Sequence, residues 1–269
     1  MHGGCCAADI TGGRTQTLTF VGGEQPVILS QITWELRDPE TRFAVLLDLA
    51  NTFSRAPRRS WGYPAEDIEL GRRLMPIVTD GAAGPSLPWA LARWYSTVGR
   101  LPELTSTHNQ LKRPDDLEFA EGVVVIYTEN QHCTVWGIPV ETLDQDDPPI
   151  VFADRGRWRH EADSVSSFAL TVGLSELCLH GGRFKCSGNM DASALAALRS
   201  TLRLAPVAPL RWSAPERDAF FLVDDKFVLL VEQEFLYVAG LDDEVAEYLD
   251  ELAAPGRISW SSWPRAVRV

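Results

Sequence analysis

The chain has 269 residues, 45% of them hydrophobic and 23% charged, with a formal net charge of −12. That balance fits a folded globular protein with one large core or two modest ones, and excludes a chain that is disordered over most of its length. A charge of this sign repels phosphate backbones and disfavours general nucleic-acid binding, while the longest apolar runs, 122–127 and 227–231, fall far short of the roughly 18 to 20 residues that span a bilayer.

Residues 1–9 carry neither a positive n-region nor an apolar h-region, so no secretory signal is read there and a cytoplasmic location is expected. Thr15 and its neighbours to Val21, and then 26–36, read as two strands around Gly22-Gly23. Asp38-Pro39 supplies a cap and a first-turn proline for a helix whose Phe43, Leu46, Leu47, Ala50 and Phe53 share one face. A basic loop over 55–63 follows, and Pro64 opens a second helix with Ile68, Leu70 and Leu74. After the turn-rich segment 80–86, Leu87-Pro88 starts a helix with Leu91, Trp94, Tyr95 and Val98, ended by Gly99. The stretch 101–121 is polar and irregular.

Val123 to Tyr127 is β-branched and uninterrupted, which predicts a strand buried on both faces; 128–132 is its turn and 133–138 the returning strand. Glu129, Asn130 and Gln131 at the tip are expected to fix the turn by bonding nearby backbone, and Trp136 to hold the core. Strand 150–152 comes next, then a helix capped by Asp163 that buries Val165, Phe168, Ala169 and Val172 and runs to Leu177. The segment 180–183 reads as a break, Asp191 as the cap of a helix through Leu195, Leu198 and Leu202, and 206–215 as a linker. Strands at 220–223, 227–231 and 235–238 are followed by a helix from Asp242 that carries Val245, Tyr248, Leu249 and Leu252 and stops before Pro255-Gly256.

Five cysteines, at 5, 6, 133, 178 and 186, form no repeated spacing, which fits a reducing compartment better than a disulfide framework. Cys178 is expected as a buried thiol and Cys186 as a loop thiol; Cys178-x-His180 lacks the paired spacing of a zinc knuckle. His160-Glu161 begins like a metalloprotease helix, but Ser164 stands where the second histidine belongs. No nucleophile elbow, P-loop or dinucleotide fingerprint is present, and His132 beside Cys133 would point to the opposite face of a strand. Asp154, His160 and Asp163 could still converge in space. Residues 155–160, three arginines and His160 around Trp158, could stack on a base, though a packed loop with snorkelling arginines is the simpler reading.

Taken together, the core from about Ile68 to Leu179 resembles the SUKH superfamily. The similar parts are Leu87-Pro88, the helix Leu91-x-x-Trp94-Tyr95-x-x-x-Gly99, the strand and turn Val124-x-Ile126-Tyr127-x-Glu129-Asn130-Gln131, and Trp136-Gly137-Ile138. Ile150-Val151-Phe152, a following Trp158 and Ser164-x-Ser166-Ser167-Phe168 extend the match in the same order. In this chain His132 takes the place where a glycine commonly follows Asn-Gln, and Arg100 follows Gly99 where Asn-Gly is usual. The resemblance implies an α+β fold with a mostly antiparallel central sheet flanked by helices, and a protein-binding role without catalytic residues or cofactors. In bacteria such a scaffold is often an immunity protein against a polymorphic toxin, and in fungi a regulator of cell-wall synthesis.

The organisation expected is therefore an N-terminal segment 1–65, a core 66–180 and an extension 181–269 packed on the same unit. Between 215 and 251 twelve acids stand against Arg217 and Lys226, and the rest of the chain is near neutral. Such a block attracts basic partners. Glu232, Glu234, Asp242, Asp243 and Glu244 are expected to form part of a partner face for another protein, such as a basic toxin domain; no metal, nucleic acid or membrane is expected. The alternatives are a housekeeping scaffold of the same fold and a hydrolase with an unrecognised site.

Overall fold

The structure, a computed structural model, describes residues 36–78, 87–181, 183–211, 219–224 and 226–262. The two strands expected before residue 36 lie outside them, as do the turn-rich segment 80–86, Cys5, Cys6 and the end of the 206–215 linker. The chain is α+β with antiparallel sheets, and its strands divide between two sheets rather than one.

The first half supplies α1 (Pro39–Phe53), α2 (Ala65–Val78), α3 (Trp89–Val98) and the short α4 (Pro102–Thr105). Asp38 caps α1 by accepting from Thr41 N at 2.9 Å, and Pro39 fills the first turn, where its missing N–H costs nothing. Sheet A then forms from β1 (Gln110–Leu111), β2 (Glu118–Ala120), β3 (Val123–Thr128), β4 (Val135–Pro139), β5 (Ile150–Asp154) and β6 (Arg157–Ala162), in the order β1-β3-β4-β5-β6 with β2 also on β3. Every residue of β3 is buried, as its unbroken β-branched run predicts.

Helix α5 (Val165–Glu176) lies at the centre of the molecule. All but one of its residues are buried, so it is covered on every side, and the sequence shows no amphipathic stripe. Phe168 meets Trp94 of α3 at 6.0 Å and Tyr127 and Trp136 of sheet A at 5.7 and 6.2 Å between ring centroids. Ser164 caps this helix by accepting from Ser167 N; the expected cap, Asp163, is almost fully exposed and bonds His160 instead. A single π-turn, Leu177–Gly181, ends the helix.

Sheet B packs on the far side of α5. It comprises β7 (Phe184–Met190), β8 (Arg203–Leu204), β9 (Ala219–Val223), β10 (Phe227–Glu232), β11 (Phe235–Gly240) and β12 (Ile258–Ser262), in the order β12-β7-β11-β10-β9-β8. Strand period decides which core each residue joins. Val228 and Leu230 belong to the cluster built on α1, α3, α5 and sheet A, whereas Phe227, Leu229 and Val231 belong to a second cluster under α6 (Ala192–Thr201) and α7 (Glu244–Leu252). The layers thus run sheet A, helices α1, α3 and α5, sheet B, then α6 and α7, and residues after 181 share the first core.

The stretch 101–121, read as irregular, contains α4, β1 and β2, and β8 and β12 were not expected; three further elements depart from the sequence reading. The basic run 155–160 supplies the start of the edge strand β6, from Arg157 on, and the two-residue turn that joins it to β5, with Arg155 at φ 50° and Gly156 at φ 75°. Only glycine adopts that second conformation without a Cβ penalty. A register shift between Ile150 and Val151 hides the period-2 pattern of this strand. Residues 184–190 form β7, which places Cys186 in a buried strand and not in a loop. The helix expected from Asp242 begins at Glu244, with Asp243 at its cap.

Candidate functional site

The hairpin tip between β3 and β4 is a scaffold. Glu129, 5% exposed, accepts through Oε2 from Gln131 N at 2.7 Å and Cys133 N at 3.1 Å, and Asn130 N donates to Asn109 Oδ1. His132 stands at φ 58°, the left-handed region that a glycine takes most readily. Trp136 is fully buried and donates its Nε1–H to Glu161 Oε2 at 2.9 Å. Glu161 also accepts from Arg211 N at 2.6 Å, so this carboxyl ties sheet A to the segment leading into sheet B.

Glu176, wholly buried at the end of α5, was not singled out by the sequence reading. Its Oε1 accepts from Tyr127 OH at 2.6 Å and Asn109 N at 2.9 Å, and its Oε2 from His108 N at 2.6 Å and Thr107 Oγ1 at 2.8 Å. Burial, and then the charge of Glu176, hold the Tyr127 phenol well above its ordinary pKa. Donors fill both oxygens, which gives the group a structural role and leaves it poorly placed to take up a substrate proton.

The five acidic residues assigned to a partner face fall in two places. Glu232 ends β10 and Glu234 stands in the β10–β11 turn, next to Phe235, which is 45% exposed. Asp242, Asp243 and Glu244 lie beyond the other end of β11, about 17 Å away for a strand of that length. They are not one patch. What the second group joins is the outer face of α7: Val245, Ala246 and Leu249 are buried, and Asp243, Glu244, Glu247 and Glu251 point to solvent with Tyr248, 39% exposed, among them. Helical spacing from Asp243 would have selected Glu247 and Glu251 in the sequence. Lys226 Nζ sits 3.6 Å from Glu244, and α7 itself contains no basic residue.

Glu232 instead lines a cleft of about 510 Å³ between the halves, with His108, Cys178, Lys185, Leu230 and Tyr237 also on its walls. Burial pushes the Cys186 thiol up to about 12 and the Cys178 thiol higher still, so neither supplies a thiolate at neutral pH. His160 Nε2 lies 3.0 Å from Asp163 on open surface, while Asp154 pairs with Arg159 at 2.9 Å, so Asp154, His160 and Asp163 form no relay. Among the described residues no group of three or more His, Cys, Asp and Glu is placed to hold a metal ion, and no helix is long and apolar enough to cross a membrane. Compared with protein-family models, with curated proteins and with solved structures, the chain matches none.

Proposed function

We propose that the protein is a non-enzymatic scaffold of the SUKH kind that neutralises a polymorphic toxin by direct contact, gripping a basic domain with the outer face of α7. The observation that carries this reading is the composition of that face: Asp243, Glu244, Glu247 and Glu251 around the half-exposed Tyr248. An aromatic anchor ringed by one sign of charge is the arrangement that steers a partner of opposite charge and then holds it. A nuclease domain must be basic to hold nucleic acid, which makes it a fitting partner. Glu232, Glu234 and Phe235, at the far end of β11, would contact the same partner only if it spans both ends of the strand.

The test begins with the adjacent reading frame. Where it encodes a secreted protein with a C-terminal toxin domain, co-expression of this chain should protect the host, and the two purified proteins should co-elute as a complex. Absence of both complex and protection would remove the proposal.

A further inference from the structure

The basic loop 55–63 makes no contribution to that acidic face, yet it is held in place with care. Trp61 donates its Nε1–H to Ala56 O at 2.9 Å, which folds the loop on itself. Two backbone bonds then strap it to α3 and to Arg100 just beyond it: Tyr63 N to Tyr95 O at 2.9 Å, and Arg100 N to Trp61 O at 2.7 Å. Gly62 lies so close to Ser96 that a Cβ would collide with the Ser96 carbonyl. The loop therefore has little freedom to move away from the helix.

What this packing brings together is a set of like charges. Arg58 and Arg59 on the loop face Arg93 and Arg100 of the α3 segment across an open cavity of about 530 Å³, with Tyr63 and Ser96 also on its walls. All four arginines are exposed. Carboxylates reach two of them: Glu40 is 3.5 Å from Arg93, and Asp48 feels the charge of Arg58. Among the described residues Arg59 and Arg100 form no ion pair; Arg100 sits 6.0 Å from the centre of the Tyr63 ring. Four guanidiniums around one cavity repel one another, and the repulsion is strongest when no anion is present. Screening over about 8 to 10 Å makes this local field independent of the chain's net negative charge.

We propose that this cavity is a polyphosphate-binding site. Guanidinium forks match phosphate oxygens two bonds at a time, and several phosphates in a row use several arginines at once. A cavity of this size is in the range of small-ligand sites and admits a triphosphate chain, either free or as part of a nucleotide. The site binds and does no chemistry on its ligand.

Calorimetric titration of the full chain with tripolyphosphate and with ATP, at low and at high salt, tests the site. Both are expected to bind at low salt and to weaken as salt rises. The double variant Arg59→Gln/Arg100→Gln should lose affinity by about tenfold or more while keeping the wild-type melting temperature, since both side chains are exposed. The control Arg155→Gln/Arg157→Gln, which removes the same charge at the sheet A edge, should bind as the wild type does. Equal affinities for the two ligands assign recognition to the phosphate chain, and tighter ATP adds the base against Tyr63; either result upholds the site. No binding at low salt, undiminished binding in Arg59→Gln/Arg100→Gln, or an equal loss in the control overturns it. So does tighter binding of a single-stranded oligonucleotide than of either ligand, which would make the patch a nucleic-acid surface.

Discussion

Glu176 and Asp191 are two carboxyls whose surroundings decide opposite consequences of removal. Glu176→Ala removes the buried acceptor of Tyr127 OH and of the Asn109 N–H, and should cost about 3 kcal/mol or more in urea unfolding. Glu176→Gln keeps the bonds to one oxygen but turns an amide N–H₂ towards other donors, so it should lie between alanine and wild type. Asp191 is exposed: it accepts from Ser193 Oγ, Ala194 N and Arg257 Nη1, and these bonds hold its pKa below the usual carboxylate range. A depressed folded-state pKa stabilises above the unfolded value of 3.8 and ceases to do so as pH falls towards the folded one. The stability gap between wild type and Asp191→Ala should therefore be full at neutral pH and shrink in melts taken progressively below pH 3.8; a gap constant with pH would contradict it. Asp191 was legible because a cap needs only its neighbours in sequence. Glu176 was not, since its four donors come from residues about fifty to seventy positions away and only the fold assembles them.

At the scale of elements, α7 carries an electrostatic burden its sequence could have avoided. Asp243 and Glu247, and Glu247 and Glu251, repeat like charges four residues apart, and Asp250 and Glu251 place negative charge at the end of the helix where the dipole favours cations. Glu251→Lys should therefore raise stability by about 0.5 kcal/mol in urea unfolding while weakening the partner complex. A gain in both, or in neither, would mean that the face is not kept for binding. Helices with one apolar face, α1 and α3, and strands written as nearly unbroken apolar runs, β3, β9, β10 and β11, were legible here. The edge strand β6 was obscured by its charges and its register shift, and β7 by the glycines before it, although its alternation of Phe184, Cys186 and Met190 with Lys185, Ser187 and Asn189 was open to view. The turn between β5 and β6 offers a direct check: Gly156→Ala forces a side chain into φ 75° and should destabilise the protein by about 1 kcal/mol.

Across the whole molecule, β10 joins the two halves, because alternate residues of one strand complete two different cores. Far-UV circular dichroism and tryptophan fluorescence should consequently report one coincident unfolding transition in urea; two resolved transitions would show that sheet B and its helices stand alone. The sequence could place an acidic block between 215 and 251 but could not show that β11 separates it into two groups, since strand length acts only once the strand is folded. That separation moves the centre of the proposed partner face to α7. Where the adjacent reading frame encodes a toxin domain, the most direct test is its titration with wild type and with Asp243→Lys/Glu244→Lys/Glu247→Lys at low salt. The expected result is a complex with the wild type, abolished by rising salt and weakened about a hundredfold or more in the variant; an unchanged affinity in the variant would contradict the assignment of α7 as the gripping surface.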